Sequence, residues 1–285
     1  MLGNRSHRDR TPREGHGRTA LVTGASSGIG RALSEVLAAR SYDLVAVALP
    51  GEPLDSLPAA LQARWDIDVH IIGMDLADPA SPQRLTGEVA QRGLHIDLLA
   101  NNAGIATDAG FLDKDWERHR AFLQLMSLTP VELTYRLLPA MIERGWGRIL
   151  TVSSIAALMI ATPHVALYGA TKAMLERFSE AINIEVAGTG VSCTVSMPGL
   201  TNTNLLAASG LGDKVDSNRL MRAITMRPET VARQAYRALI PGQPAVVHGA
   251  VNRIATGVLE RAPRGVRRKV AIAESAAIVP KSSSS

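Results

Sequence analysis

The sequence predicts an α/β protein in which helices cover both faces of a central parallel sheet of about seven strands. Short apolar runs alternate with longer segments of helical periodicity, and a glycine-rich turn joins the first run to the first such segment. Strands that are apolar throughout are typical of parallel sheets buried on both faces. The alternation continues to about residue 250 without a linker-like composition, so we expect a single domain.

Seven apolar runs of strand length follow one another along the chain. They cover residues 19–23, 43–49, 68–73, 96–101, 147–153, 190–196 and 244–249. The intervening segments repeat apolar residues every three or four positions, as Leu175, Phe178, Ile182 and Val186 do after the fifth run. This order predicts alternating strands and helices, as in a doubly wound sheet.

Composition and charge restrict the classes of function. The chain has 285 residues, and its single cysteine, Cys193, excludes an internal disulfide framework and multi-cysteine zinc sites, which favours a cytoplasmic location. Residues 1–18 carry five arginines against two carboxylates, and residues 253–270 carry six cations against one carboxylate, although the whole chain is only +5. The rest is acidic overall, so no nucleic-acid partner is expected. No apolar run is long enough to predict a membrane span.

The ends of the chain differ from the middle in composition. Residues 1–17 are polar and basic, and we expect a disordered tail there; residues 18–262 form the predicted domain. Residues 263–285 are expected to be a basic, flexible tail. The basic amphipathic segment around residues 252–270 is compatible with a solvated helix, a contact between subunits or a contact with a membrane surface.

The first strand, turn and helix carry glycines in the spacing GxxxGxG. Gly24, Gly28 and Gly30 lie in "TGASSGIG", where the backbone turns sharply before a helix begins. Such a turn lets the backbone approach a pyrophosphate, and the free N–H groups of the helix N-terminus then bind it. The spacing differs from the common GxGxxG fingerprint, and glycines in such turns also serve geometry alone.

Four ordered motifs make the sequence similar to the classical short-chain dehydrogenases/reductases. They are "TGASSGIG" (23–30), "NNAG" (101–104), the set Ser154, Tyr168 and Lys172, and "PG" (198–199). The resemblance covers roughly residues 18–250. It implies a doubly wound Rossmann fold, binding of NAD(H) or NADP(H), and an oxidoreductase that acts on a small molecule. It also implies a homodimer or homotetramer formed through the long helices around 115–144 and 168–187.

The same resemblance implies a set of cofactor contacts drawn from every motif. They are Gly24, Ser26, Ser27, Gly28, Ile29, Gly30, Leu49, Asp75, Leu76, Asn102, Ala103, Gly104, Tyr168, Lys172, Pro198, Gly199, Leu200 and Thr203, with Asn101 steadying the sheet. Two of these positions have an alternative: Asp75 would otherwise cap the next helix, and Thr201 competes with Thr203. No metal ligand is expected.

The residue that ends the second strand bears on the choice between NAD and NADP. An acidic side chain there bonds the ribose 2′-hydroxyl, whereas an arginine accommodates a 2′-phosphate. Leu49 occupies this position, followed by Pro50, so neither discriminator is present. The missing carboxylate removes a repulsion against phosphate, which favours NADP.

Tyr168 and Lys172 are four residues apart, so on a helix they share one face. A cation within about 4–6 Å favours the phenolate form of a tyrosine, which then exchanges a proton with a substrate oxygen. The resemblance implies that Ser154 hydrogen-bonds this oxygen; Ser153 is the competing serine. The interval from Ser154 to Tyr168 is one residue longer than the commonest spacing in the family.

One position departs from the family pattern. Where many members carry an asparagine that supports a proton relay behind the lysine, this sequence has Met126 in "FLQLMSLTP". A thioether accepts hydrogen bonds weakly and cannot donate them. Either Met126 fills the core and the proton takes another route, or the enzyme performs slower or altered chemistry.

Residues 202–227 interrupt the regular alternation where the family has its substrate lid. Leu205 and Leu206 in this segment, with Met159 and Ile160 after Ser154, would line a pocket for a bulky apolar substrate, or pack onto another subunit. We therefore expect a ketoreductase-like enzyme that interconverts a ketone and a secondary alcohol on a polyketide, steroid-like or acyl substrate. The alternatives are a non-redox enzyme of the same fold (a cyclase, dehydratase or epimerase) and a cofactor-sensing binding protein.

Overall fold

A computed structural model describes residues 13–105, 110–160, 166–208 and 212–278 of the chain. Seven strands lie close to the seven predicted runs. They are β1 Thr19–Thr23, β2 Asp43–Ala48, β3 Val69–Gly73, β4 Leu98–Asn101, β5 Gly147–Val152, β6 Val191–Met197 and β7 Ala245–Val247. The predicted α/β architecture is confirmed.

The strands form one parallel sheet in the order β3-β2-β1-β4-β5-β6-β7. Successive side chains of a strand point to opposite faces, and in β1 Ala20 and Val22 belong to one buried cluster while Leu21 belongs to the other. The chain changes its direction of travel across the sheet between β1 and β4. Ligands of doubly wound sheets bind in the crevice at such a switch point, so this edge positions the site.

Thirteen α-helical segments are found in the described residues. They are α1 Gly28–Ala38, α2 Glu52–Asp55, α3 Leu57–Gln62, α4 Ser81–Gln91, α5 Trp116–Leu123, α6 Thr129–Glu143, α7 Ala166–Glu185, α8 Asn204–Ala208, α9 Gly212–Ser217, α10 Arg219–Ile224, α11 Pro228–Leu239, α12 Ala250–Arg261 and α13 Arg264–Ile278. A π-helical turn, Gln124–Leu128, joins α5 to α6, and a 3-10 turn, Ile155–Leu158, follows β5.

Both ends of the domain are more ordered than the sequence predicts. Near the N-terminus, the Gly15 N–H donates to the Arg40 carbonyl oxygen at 3.0 Å. Near the C-terminus, helix α13 lies within the segment expected to be a flexible tail; its Ala271 is buried, and Arg267 donates to the Leu158 carbonyl oxygen at 3.0 Å. The outer parts of both predicted tails, residues 1–12 and 279–285, lie outside the described residues.

A fully buried histidine joins β6, β7 and α11. His248 Nε2 lies 2.7 Å from Ser196 Oγ, and its Nδ1 lies 3.1 Å from Gln234 Oε1. An amide oxygen only accepts, so Nδ1–H donates to Gln234, and Nε2 accepts from the Ser196 hydroxyl. Burial lowers the pKa of His248 to about 4. Because Ser196 is also fully buried, this pair stabilises the sheet and does not form a nucleophilic site.

Because His248 stays neutral in the folded protein, the free energy of unfolding decreases as the pH falls below 7. The unfolded chain protonates this histidine below about pH 6.5 while the folded protein does not, so the unfolded state gains protons as the pH falls towards 4. We expect the free energy of unfolding to drop by about 2 kcal/mol from this residue between about pH 7 and pH 5. Urea titrations at both pH values measure the drop. The His248→Gln variant should show a correspondingly smaller acid loss, and an equal loss in both proteins would contradict this assignment.

Within the described residues, no helix is both long and apolar enough to cross a bilayer. The same part of the chain contains no cluster of three histidine, cysteine or acidic side chains that could hold a metal ion. Cys193 is buried in β6, and burial raises the pKa of its thiol to about 12.

Candidate active site

The glycines of the turn between β1 and α1 occupy positions that do not accommodate a side chain. Gly24 and Gly28 adopt φ angles of 67° and 53°, a region that strongly favours glycine. A Cβ on Gly30 would lie 2.1 Å from the Gly24 carbonyl oxygen. Helix α1 begins at Gly28, its N-cap Ser27 makes no side-chain capping bond, and its first turn carries no acidic residue. Its N-terminal N–H groups are therefore available to an anion.

The "NNAG" segment is fastened to the glycine turn. Thr23 Oγ1 accepts from the backbone N–H groups of Asn102 and Ala103, each at 2.9 Å. In return, Asn102 Nδ2 donates to the Thr23 carbonyl oxygen at 2.8 Å. These bonds hold the carboxyl ends of β1 and β4 in register at the switch point. Sequence reasoning missed Thr23, although it immediately precedes the first glycine of the motif.

Asn101 and the Asp75–Leu76 pair support the same edge of the sheet. Asn101 Nδ2 donates to Thr134 Oγ1 at 3.1 Å, so it ties β4 to α6. Asp75 Oδ1 accepts from the Ala77 N–H, within the turn that precedes α4, so it does not cap that helix. Leu76 is buried. The exposed carboxylate of Asp75 therefore lies at the end of β3, where a cofactor contact was expected.

The residue after β2 carries no charge. Leu49 follows directly after β2, which pairs with β1 in parallel, and 64% of its surface is exposed. An exposed leucine at this position makes no hydrogen bond to a ribose hydroxyl and exerts no repulsion on a phosphate.

Ser154, Tyr168 and Lys172 meet between the end of β5 and the start of α7. The Ser154 hydroxyl is close enough to the Tyr168 phenol to lower its pKa, and Lys172 Nζ lies 5.7 Å from the centroid of the Tyr168 ring. Lys172 is buried, and its Nζ donates to the Val152 carbonyl oxygen at 2.8 Å. The structure therefore brings together the three side chains that the sequence grouped.

The two neighbouring serines have different surroundings. Ser153 is buried, and its hydroxyl donates to the backbone carbonyl oxygen of Lys172 at 2.7 Å. The Ser154 Oγ instead accepts from the Ala156 N–H at 3.1 Å, and its hydroxyl lowers the pKa of Tyr168. Ser153 thus fixes α7 against β5, and of the two serines Ser154 is the one that interacts with the phenol.

Burial dominates the electrostatics of this cluster. It lowers the pKa of Lys172 to about 8, because an ammonium is costly away from water. Burial also raises the pKa of the Tyr168 phenol, and the hydrogen bond with Ser154 offsets only part of this rise. The expected lowering of the Tyr168 pKa by Lys172 is therefore not found in the protein alone, where desolvation raises the pKa and only Ser154 lowers it.

Met126 takes part in the support of the site. It is buried in the π-helical turn, and its Sδ accepts from the Ile105 N–H at 3.3 Å, directly after "NNAG". A Cβ on Gly104 would lie only 3.1 Å from this sulfur. The neighbouring Ser127 Oγ is buried and has no hydrogen-bond partner within the described residues. Met126 thus bonds the loop next to it, which the sequence alone did not indicate.

The turn after β6 joins the serine loop to the glycine turn. Pro198 accepts from the Ile155 N–H at 3.0 Å. Thr203 lies against the other side of the crevice, since a Cβ on Gly28 would lie 3.0 Å from its Cγ2. Thr201 Oγ1 instead donates to the Gly199 carbonyl oxygen within the turn itself. Of the two threonines, Thr203 is therefore the one beside the glycine turn.

The predicted lid begins and ends at one point. Thr201 and Met226 form a parallel bridge, with Asn202 N–H donating to the Met226 oxygen at 2.9 Å and Met226 N–H donating to the Leu200 oxygen at 2.8 Å. Helices α8, α9 and α10 lie between these ends. Residues 209–211 of the lid fall outside the described residues, as do residues 161–165 before Tyr168.

The four predicted pocket residues lie on two segments of the chain. Met159 and Ile160 follow the 3-10 turn after Ser154 and are partly exposed. Leu206 in α8 is buried, and Leu205 beside it is partly exposed. In the sequence, Met159 and Ile160 follow Ser154, and Leu205 and Leu206 follow Thr203.

A profile of the family described as short chain dehydrogenase matches residues 18–213, more than half of the chain. The chain belongs to this family. The matched region of this short-chain dehydrogenase contains the glycine turn, "NNAG" and the cluster of Ser154, Tyr168 and Lys172.

Relatives of this short-chain dehydrogenase include several reductases. It is 33% identical over 190 residues to Dehydrogenase/reductase SDR family member 7B from Bos taurus, in a match that covers 65% of the chain but only 58% of the longer relative. It is 32% identical over 231 residues to a fatty acyl-CoA reductase from Acinetobacter baylyi, covering 78% of the chain and 77% of that protein.

A solved structure shares both the fold and part of the sequence. The 3-oxoacyl (acyl-carrier-protein) reductase from Agrobacterium tumefaciens, with NADP bound, superimposes with a TM-score of 0.74 at 25% identity. The match covers 86% of this short-chain dehydrogenase and 98% of the Agrobacterium chain.

Proposed function

We propose that this protein interconverts a ketone and a secondary alcohol on a lipophilic small molecule, with NAD(P) as the cofactor and reduction as the favoured direction. The observation that carries the proposal is the grouping of Ser154 and Tyr168 with a buried Lys172, whose Nζ lies 5.7 Å from the centroid of the Tyr168 ring. This cluster lies beside a glycine turn built for a pyrophosphate. Proton donor, hydrogen-bond donor and cofactor crevice therefore share one edge of the sheet.

The residues present fit a nicotinamide dinucleotide. The close approach of backbone around Gly24 and Gly30 leaves no volume for side chains, and the N-terminus of α1 has no acidic residue that would repel phosphate. Residues of the glycine turn, Asn102, Lys172 and Thr203 would hold the cofactor. When bound, NAD(P)H supplies the hydride that a carbonyl carbon accepts.

The chain's own residues supply the proton and orient the oxygen. The Ser154 hydroxyl donates a hydrogen bond to the carbonyl oxygen, which stabilises the negative charge that develops on it. The Tyr168 phenol transfers its proton to this oxygen, so the alcohol gains one proton for each hydride received at carbon. The Lys172 cation stabilises the phenolate that remains. Oxidation runs through the same residues in reverse.

The apolar borders of the crevice support a lipophilic substrate. Leu205, Leu206, Met159 and Ile160 present no charge to it. The similarity to a fatty acyl-CoA reductase and to a 3-oxoacyl reductase points the same way, towards acyl, polyketide or steroid-like carbonyl compounds.

Titration of the pure protein with NADPH and NADH, followed by a panel of ketones of increasing apolar size, tests the function. We expect reduced cofactor to be consumed in equal amounts with the alcohol formed, and kcat/KM to rise with the apolar area of the ketone. Absence of cofactor-dependent turnover on every ketone and alcohol would overturn the proposal. Product formation without consumption of NADPH would instead support the alternative of a non-redox enzyme of the same fold.

For the cofactor, we propose NADP over NAD, because the exposed Leu49 leaves the 2′-position without a repelling carboxylate. We expect Leu49→Asp to weaken NADPH binding about tenfold or more relative to NADH, since the new carboxylate repels the phosphate and bonds the free hydroxyl. Fluorescence titrations give both Kd values. The Leu49→Asn variant is a matched uncharged control and should keep most of the preference. If Leu49→Asp leaves the ratio of the NADPH and NADH Kd values unchanged, the ribose 2′-position of the cofactor does not lie beside residue 49.

We also propose a homodimer or homotetramer formed through α6 and α7. Both helices expose apolar side chains, including Tyr135, Ile142, Met174 and Ile184. Sedimentation velocity of the full chain tests this assembly, and a monomer at micromolar concentrations would contradict it.

A further inference from the structure

Helix α12 exposes an apolar stripe on the side that faces away from the domain. Val251, Ile254 and Val258 are 60%, 68% and 66% exposed. Their spacing of three and four residues places them on one face of the helix. Thr256 is the buried residue of the same helix. The outward face of α12 is thus more apolar than a solvated helix requires.

Helix α13 adds positive charge beside further exposed apolar side chains. Arg268 and Lys269 are exposed, as are Val266 and Ile272, whereas Ala271 is buried. Residues 253–270 carry six cationic side chains and one carboxylate, Glu260. This segment therefore carries +5, which equals the net charge of the whole chain, so the remaining residues sum to zero. We call the exposed faces of α12 and α13 the C-terminal surface.

The combination of charge and exposed aliphatic side chains selects among possible partners. A second copy bound by two-fold symmetry would oppose this positive segment to itself, and like charges across an interface cost free energy. Nucleic acid would neutralise the cations but leave the stripe of α12 uncovered. An anionic lipid surface satisfies both features, because headgroups attract the cations while Val251, Ile254 and Val258 enter the interfacial region.

We propose that the C-terminal surface docks this protein on anionic lipid bilayers. Helices α12 and α13 contact the candidate active site, so docking through them would bring that site close to the bilayer. This matters for turnover only if the substrate is lipophilic, as proposed above. Arg267 donates to the Leu158 carbonyl oxygen in the turn after Ser154. Asn252 lies so close to Gly199 that a Cβ there would be 2.4 Å from its Nδ2. A lipid-dissolved substrate would therefore meet the site next to the surface from which it is taken.

Vesicle flotation with the full chain tests the docking without any need for turnover. We expect at least about tenfold more binding to vesicles with about one-third phosphatidylserine than to pure phosphatidylcholine vesicles, and a large loss of this binding at high salt. Equal binding to both vesicles would overturn the proposal, whether or not the protein reduces ketones. Conversely, selective binding by a protein without reductase activity would leave the docking intact and remove the proposed function.

Two pairs of substitutions assign the binding to the C-terminal surface. R268E/K269E and I254S/V258S should each lower binding to anionic vesicles about tenfold, with turnover of a water-soluble ketone unchanged. R233E/R237E on α11 changes the net charge by the same amount and should bind as the unmodified protein does. Equal losses in R233E/R237E and R268E/K269E would reduce the effect to net charge and overturn the proposal. If I254S/V258S dissociates an oligomer, the C-terminal surface contacts a second copy of this chain, and the proposal is wrong in that case too.

Discussion

The Tyr168→Phe variant should lose about 10²–10⁴-fold in kcat for ketone reduction, because the phenyl ring keeps its packing but has no proton to donate. Binding of the reduced cofactor should change little, since only the hydroxyl is removed. Steady-state kinetics with the best ketone of the panel and a fluorescence titration with NADPH separate the two effects. A fall in kcat with an unchanged Kd is the result that identifies Tyr168 as the proton donor.

Three further substitutions test whether the loss of kcat is specific to the site of Tyr168. Tyr135→Phe removes the hydroxyl of an exposed tyrosine on α6 and should leave kcat unaltered. Ser154→Ala should lower kcat about a hundredfold or more. Ser153→Ala should act mainly on stability, because its hydroxyl bonds the Lys172 backbone. If Tyr168→Phe keeps full activity, the proton comes from another group and the proposed mechanism is wrong.

Gly30→Ala should destabilise the protein by about 3 kcal/mol or more and abolish measurable cofactor binding. The new methyl group would lie 2.1 Å from the Gly24 carbonyl oxygen and 2.5 Å from Asn102 Nδ2. Neither neighbour is the free end of a flexible side chain, since Asn102 Nδ2 is itself bonded to the Thr23 carbonyl oxygen. The turn must therefore open, which separates "NNAG" from α1. Urea denaturation and NADPH titration measure the two losses.

Gly87→Ala is the control for this substitution. Gly87 lies inside α4, and a Cβ there would have no neighbour within 4 Å. Alanine should stabilise the helix by about 0.5–1 kcal/mol and leave cofactor binding unchanged. If Gly30→Ala were as harmless as Gly87→Ala, the close contact at the turn would not exist in solution.

The sheet was predictable because its strands are apolar runs bounded by glycine and polar residues. Each observed strand lies inside a predicted run or extends one residue beyond it at an end. Strand β7 lies inside its predicted run, residues 244–249, but is three residues shorter. A solvated helix was one interpretation of residues 252–270, but the order of α13 within the predicted flexible tail was not anticipated, because it depends on tertiary contacts such as Arg267 with Leu158. Periodicity reports local preference and does not contain such contacts.

Part of the candidate site was equally accessible from sequence. The motif order grouped Ser154, Tyr168 and Lys172, and the structure places them together. The direction of the Tyr168 pKa was not accessible, because it depends on burial, which raises it. The role of Met126 also depended on three-dimensional contacts: a sulfur that receives the Ile105 N–H can only be recognised once the π-helical turn is known.

The bridge between Thr201 and Met226 allows the lid to change in length and sequence. Backbone hydrogen bonds join the two ends, so the chain between them forms a closed loop. These bonds do not involve the side chains within the loop. Lengthening such a loop costs little, since the closure free energy grows only slowly with the number of residues. We therefore expect insertions and replacements between residues 204 and 225 to leave the sheet, the glycine turn and the Tyr168 helix in place, so that the proposed substrate lid could change without them.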